Sequence, residues 1–215
     1  MTAPASGTEG YAEEAEALFR RDETLAFADV HRVVLHLVPQ AGARILDIGA
    51  GTGRDAAVFA AMGHSVVAVE PTDALRTRAM TLRASPRIEW LDDSLPKLSL
   101  LRQRGEAFDA VMLTAVWMHL DERQRRQGMP VVASLVRDGG VMIMSLRHGP
   151  VPPRRRMFEV SAEETIELAQ PHGLHPILNM QTPSIQLLNR MAGVNWTRLA
   201  FRKLREGSQP MKPAV

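Results

Sequence analysis

The chain has 215 residues, of which 45% are hydrophobic, and 26 Lys+Arg stand against 24 Asp+Glu for a formal charge of +2. That near balance argues against a nucleic-acid binder relying on a broad positive field, although the sequence pI is near 9.5. With no cysteine, disulfides, thiolate metal sites and cysteine nucleophiles are excluded; the length and apolar content suit one domain with a full core.

Residues 1–10 (MTAPASGTEG) are small and polar, read as a disordered tail, and lack the charged and apolar regions of a signal peptide. No apolar stretch approaches a membrane span, so a cytoplasmic location and no membrane partner are expected. Residues 11–215 read as one domain: N-terminal helices over 11–40, a ligand-binding core over 41–147, and an acceptor-side loop with closing strands over 148–215. Helical apolar spacing runs through Tyr11 to Arg21 and Thr24 to Val38, and Pro39 with Gly42 ends the second helix. Strands and helices then alternate: strand 44–48, helix 54–62, strand 65–69, helix 72–83, strand 87–91, a short segment near 97–103, strand 108–114, helix 121–136 and strand 140–146. Such alternation predicts a mostly parallel α/β sheet covered on both faces. A Pro/Arg-rich loop (149–156), a helix near 162–170 and strands near 174–180 and 194–202 follow. Segment 182–193 reads equally as a helical insert or a long hairpin connection.

The first strand runs through Asp47 into Gly49-Ala50-Gly51-Thr52-Gly53. Glycines there accept positive φ and admit a ligand close to the backbone, and the next helix aims free N–H groups at it. The spacing is GxGxG, whereas a dinucleotide loop is GxGxxG; Arg54 stands where that pattern places glycine. Asp47 would repel a pyrophosphate and suits a cationic amine. Thr52 contacts ligand, caps the helix, or does both.

Asp47-x-Gly49-x-Gly51-x-Gly53 resembles the first motif of the class I S-adenosylmethionine (SAM)-dependent methyltransferases, and the resemblance continues in order from 40 to 147. It implies a Rossmann-like fold with a seven-stranded, mostly parallel sheet, an antiparallel last strand and an N-terminal helical lid. It further implies SAM as cofactor and an enzyme that methylates a small molecule. Ser65–Val69 ends at Glu70-Pro71, where the family places the acid that binds both ribose hydroxyls; a carboxylate offers the bidentate acceptor this needs. Asp92-Asp93-Ser94 resembles the adenine-reading turn, with Asp93 favoured over Asp92. Phe108–Leu113 and Leu135–Ile143 resemble the fourth strand and the turn into the fifth.

After the fourth strand, Thr114-Ala115-Val116-Trp117-Met118-His119 lacks the Asn/Asp-Pro-Pro-Tyr turn of enzymes that methylate base amines or glutamine. Trp117 either walls the acceptor pocket or packs in the core. His119 is a candidate general base, the competing reading being a helix-start residue beside Asp121. Arg147 and His148, at the end of the fifth strand, are candidates for binding an acidic acceptor, whereas Arg154–Arg156 read as a solvated loop. Tyr11 resembles a lid tyrosine, or is a surface aromatic. No metal-ligand spacing occurs, so no metal is expected. A non-catalytic or regulatory SAM-binding subunit and an RNA/DNA-directed methyltransferase are the alternatives; the acceptor and the oligomeric state are open.

Overall fold

A computed structural model describes residues 5–204. Seven strands form one sheet: β1 (Arg44–Ile48), β2 (Ser65–Val69), β3 (Ile88–Leu91), β4 (Phe108–Thr114), β5 (Val136–His148), β6 (Leu174–Pro183) and β7 (Asn195–Lys203). Their order is β3-β2-β1-β4-β5-β7-β6. The first five pair in parallel, and β7 lies antiparallel between β5 and β6. The strand sequences RILDI, SVVAV and FDAVMLT are apolar with little alternation, as a sheet buried on both faces requires.

The helices are α1 (Ala15–Asp22), α2 (Phe27–His31), α3 (Arg54–Ala61), α4 (Asp73–Leu82), α5 (Ser99–Gln103), α6 (Glu122–Leu135), α7 (Ala162–Ala169) and α8 (Leu187–Met191). One face of the sheet packs Val111, Leu113, Met142 and Met144 against Leu101 of α5, Met129 and Val132 of α6, and Ala169 of α7. The other packs Ile45, Met112, Ile143 and Ala200 against Val34 and Phe59. Helix α6 starts at a capping box in which Asp121 Oδ1 accepts from Gln124 N at 2.8 Å and Gln124 Oε1 accepts from Asp121 N at 3.0 Å.

The expected second helix, Thr24 to Val38, is broken into α2 and a 3-10 turn at Leu35–Leu37. Segment 182–193 combines both of its readings, because the β6–β7 hairpin connection carries α8. Of the expected tail, residues 1–4 lie outside the described residues. Residues 5–10 are held in turns, with Thr8 N donating to Ala5 O and Tyr11 N to Thr8 O. Among the described residues no helix is long and apolar enough to cross a membrane.

The lid helix α1 rests on a small separate cluster, Leu18 and Phe19 against Leu75 and Ala79 of α4, with the Arg78 guanidinium over the Phe19 ring at 4.6 Å. Burying one such ring contributes about 1.5–3 kcal/mol, a large share for a unit this size. Phe19→Ala should therefore release α1 without melting the sheet. Hydrogen exchange is expected to speed up across residues 15–22 and stay unchanged in β1, β4 and β5; uniform acceleration would show that α1 is not a separate unit.

Candidate active site

Strand order reverses between β1 and β4, and a cavity of about 740 Å³ opens there, beyond the carboxyl ends of the parallel strands. The loop after β1 is folded back by two hydrogen bonds, from Gly49 N and Ala50 N to Val69 O (2.8 and 2.9 Å). Gly49 has φ +70°, and a Cβ there would stand 2.6 Å from Val116 Cγ2, so only glycine fits beneath the loop that follows β4. That second loop turns at Ala115, itself at φ +60°, whose N–H donates to Ser145 Oγ at 2.9 Å. Gly51 has φ +56°; a Cβ there would meet nothing closer than 3.9 Å, and its N–H donates to Glu70 Oε2 at 2.9 Å. Glu70 Oε1 accepts from Thr72 N at 2.7 Å. Glu70 thus ties the glycine loop to the end of β2 and lines the cavity, with acceptor capacity left on both oxygens; burial raises its pKa against those two bonds.

Asp47 is 2% exposed, and its Oδ2 is buried with no hydrogen-bond partner among the described residues. Burial first, then the nearby Asp55, pushes its carboxyl well above the usual range. Asp55 behaves oppositely. Burial alone would raise its pKa, but a 2.7 Å bond from His31 Nε2 and the Arg54 ion pair at 2.7 Å outweigh it and hold it at about 2. Thr52 does not cap α3; its Oγ1 donates to Asp22 Oδ2 at 2.8 Å, joining the loop to the end of α1.

A second set of contacts closes the opposite wall. Tyr11 Oη lies 2.9 Å from His119 Nε2, and His119 Nδ1 lies 2.7 Å from Arg156 O. The carbonyl can only accept, so Nδ1 carries the proton, Nε2 is the acceptor and the Tyr11 hydroxyl donates to it. Burial lowers the His119 pKa and raises that of Tyr11. Arg155 sits over the Tyr11 ring at 3.9 Å and pairs with Glu14 at 2.6 Å, while Arg156 pairs with Asp121 at 3.0 Å and with Ser6 Oγ. Of the Arg154–Arg156 triplet, Arg154 is exposed as expected, whereas Arg155 and Arg156 are not solvated charges: the Arg155 side chain is 6% exposed and clamps the N-terminal segment over the cavity.

The cavity brings together Tyr11, Asp47, Gly49, Ala50, Gly51, Thr52, Glu70, Pro71, Asp93, Ser94, Thr114, His119 and Arg147. Four expected residues lie elsewhere. Gly53 starts α3 behind the loop, where a Cβ would meet Trp90 at 2.7 Å. Asp92 points outward with its side chain 66% exposed and pairs with Arg76. Trp117 is fully buried in the core. His148 turns away from the cavity and bonds Thr197 Oγ1 at 2.8 Å. Asp93 lines the cavity, but its carboxylate accepts from Ser94, Ser99 and Leu101 N–H groups at the start of α5. The cavity also holds Arg198 of β7, which sequence reasoning does not single out: a lone cation within an apolar strand run, Trp196 to Phe201, is the signal that marks it. Among the described residues no group of three potential metal ligands occurs.

Residues 45–140 match the family described as "Methyltransferase domain". The chain is 28% identical to glycine N-methyltransferase of Mus musculus over 176 residues, 72% of this chain and 60% of that protein. It thus spans about 60% of the length of the curated relatives it matches first. The fold is shared with 1,6-didemethyltoxoflavin-N1-methyltransferase of Burkholderia thailandensis, solved with 1,6-didemethyltoxoflavin and S-adenosylhomocysteine (TM-score 0.65, 22% identity, 95% of this chain and 92% of that one). It is also shared with the N-methyltransferase NodS of Bradyrhizobium japonicum, solved with S-adenosylhomocysteine (TM-score 0.69, 17% identity, 91% and 99%).

The His31–Asp55–Arg54 set generates a stability prediction. Asp55→Ala leaves the Arg54 guanidinium without its carboxylate and the buried His31 ring without its hydrogen-bond partner, and should cost about 3–5 kcal/mol, read from the urea midpoint at neutral pH. Because the folded pKa is depressed, this contribution is complete above the unfolded value near ~4 and fades only as pH falls towards about 2. An unchanged midpoint would mean that the set contributes nothing.

Proposed function

Since the chain belongs to the class I SAM-dependent methyltransferases, we propose that it catalyses transfer of a methyl group from SAM to a small-molecule acceptor bound in the same cavity. The observation that carries this is the buried, partnerless Asp47 Oδ2 at the mouth of β1, an acceptor suited to the cofactor's ammonium group. The remaining lining fits as well. Glu70 keeps acceptor lone pairs for the ribose hydroxyls, and the open side of Gly51 leaves room for close approach. Ser94 and Asp93 lie where the adenine end would rest. SAM supplies an electrophilic methyl group on a sulfonium sulfur, so the protein's part is alignment and exclusion of water.

Where the acceptor atom arrives protonated, Tyr11 and His119 supply the base. The Tyr11 oxygen takes the acceptor proton as its own proton passes to His119 Nε2, and the resulting imidazolium keeps its Nδ1–H on the Arg156 carbonyl. His119 reaches the acceptor through Tyr11, since its free nitrogen is already occupied. Burial keeps His119 neutral to lower pH than an ordinary histidine, which holds the base ready at neutral pH.

An acidic acceptor is the finer reading. Arg147 lines the cavity, donates one bond to Pro150 O at 2.7 Å, and makes no ion pair among the described residues. Its planar fork suits a carboxylate or phosphate.

Calorimetry should detect SAM and S-adenosylhomocysteine binding but not NAD. Tight NAD binding with none to SAM would reject the proposal, and cofactor binding with no turnover across an acceptor screen would favour a regulatory subunit. For a turned-over acceptor, the acid limb of kcat is expected below the ordinary histidine value of about 6.5. Tyr11→Phe should lower kcat by roughly 10²-fold or more while leaving S-adenosylhomocysteine affinity within a few-fold. A Tyr11→Phe enzyme with full kcat would remove the dyad from the reaction.

A further inference from the structure

We propose that Arg198 is the anchor of an oxyanion subsite, taking the carboxylate or phosphate of the acceptor at the β5–β7 side of the cavity. The inference rests on the methyl-transfer reading and deepens it, since Arg147 alone is a half-exposed group at the rim.

Cross-strand register fixes the position. Met112, Ile143 and Ala200 form an apolar row across β4, β5 and β7, and Asp47 pairs with Met112. One step nearer the cavity, Thr114, Ser145 and Arg198 form the next row on the same face, and Arg147 with Trp196 forms the one after. Asp47 and Arg198 thus share a face, three strands or roughly 14 Å apart across the sheet and one row, about 7 Å, apart along it. An acid stands at one end of the cavity and two arginines at the other.

Arg198 is 8% exposed, yet its guanidinium has no hydrogen bond and no ion pair among the described residues; it lies 5.4 Å from the Trp196 ring and feels the charges of Asp55 and Arg54. The other arginines buried to a similar degree are answered by carboxylates: Arg125 by Glu164 at 2.8 and 3.1 Å, Arg155 by Glu14, and Arg54 by Asp55. Asp55 favours the Arg198 charge from a distance but makes no hydrogen bond or ion pair to it; its Oδ1 is bound by Arg54 and its Oδ2 by His31. A buried cation left without a counter-charge is costly to the fold, and an arginine aimed into a ligand cavity recovers that cost when an oxyanion fills it. Burial lowers its pKa only to about 10, so the charge is present at any working pH. Ser145 adds a hydroxyl in the same row, and the exposed Ile185 and Leu188 border the cavity on the α8 side.

The test is titration of the S-adenosylhomocysteine-loaded protein with benzoate, with inorganic phosphate and with neutral benzamide, followed by calorimetry. Benzoate or phosphate should bind and benzamide should not; which of the two binds assigns the oxyanion. Arg198→Lys should weaken that probe at least tenfold and Arg198→Met should abolish its binding, with S-adenosylhomocysteine affinity within threefold of wild type in both. Arg198→Lys keeps the buried charge and serves if Arg198→Met fails to fold. Absence of oxyanion binding to the wild type, or retained oxyanion binding in a folded Arg198 variant, would overturn the proposal. So would loss of S-adenosylhomocysteine affinity in those variants, which would move Arg198 to the cofactor. Failure of the wild type to bind S-adenosylhomocysteine would instead count against the cofactor reading, and the same probes titrated onto the ligand-free protein would still decide the Arg198 subsite.

Discussion

Asp47 carries a carboxylate into the interior at the end of β1 and leaves Oδ2 without a partner among the described residues. Taken alone this is unfavourable, since burial and the neighbouring Asp55 both disfavour the charged form. The surrounding structure is arranged so that the acid cannot escape. Gly49 and Ala50 are pinned to Val69 O, Val116 closes over Gly49, and Glu70 holds the loop from the far side. Asp55, whose charge opposes that of Asp47, is committed to His31 and Arg54, and Arg54 offsets only part of the penalty on Asp47. A cationic ligand group beside Asp47 would restore its charged form, so the position exchanges folding stability for ligand affinity.

The rest of the site follows from how the sheet is ordered. Reversal between β1 and β4 opens the cavity, and β7, running antiparallel between β5 and β6, presents its amino end to the ligand edge where its parallel neighbours present their carboxyl ends. That inversion is what brings Arg198, near the start of its strand, beside Ser145, near the end of β5. On the other wall the N-terminal segment is held by Arg155 and Arg156, so that Tyr11 meets His119 across 108 residues of sequence.

Much of this is legible in the amino-acid sequence. Short apolar runs locate β1, β2 and β4 at their observed limits, because buried parallel strands leave a strong signature, whereas β5 and β6 extend several residues beyond their expected ends. The glycine spacing and the acids at 47 and 70 identify the ligand edge. The expectations that fail do so for particular reasons. Adjacent strand residues face opposite sides, so Arg147 and His148 cannot both line one cavity, and His148 goes to Thr197. Trp117 falls in a 3-10 turn that directs it beneath the sheet, an orientation that spacing does not reveal. Arg155 reads as a solvated charge because its partners, Glu14 and Tyr11, are distant in sequence. Arg198 escapes notice because the ligand-edge rule concerns carboxyl ends, and β7 shows its other end.

The central claim is that Asp47 holds the ammonium end of the cofactor, and comparison of two nucleosides tests it most directly. S-adenosylhomocysteine carries the amino-acid group, and 5′-methylthioadenosine lacks it. The wild type should bind the former at least tenfold more tightly; Asp47→Asn should remove most of that preference and, by replacing a buried carboxyl that lacks a partner on Oδ2, leave the ligand-free protein at least as stable as wild type. An Asp47→Asn protein that keeps the full preference, or a wild type that does not distinguish the two nucleosides, would contradict the account.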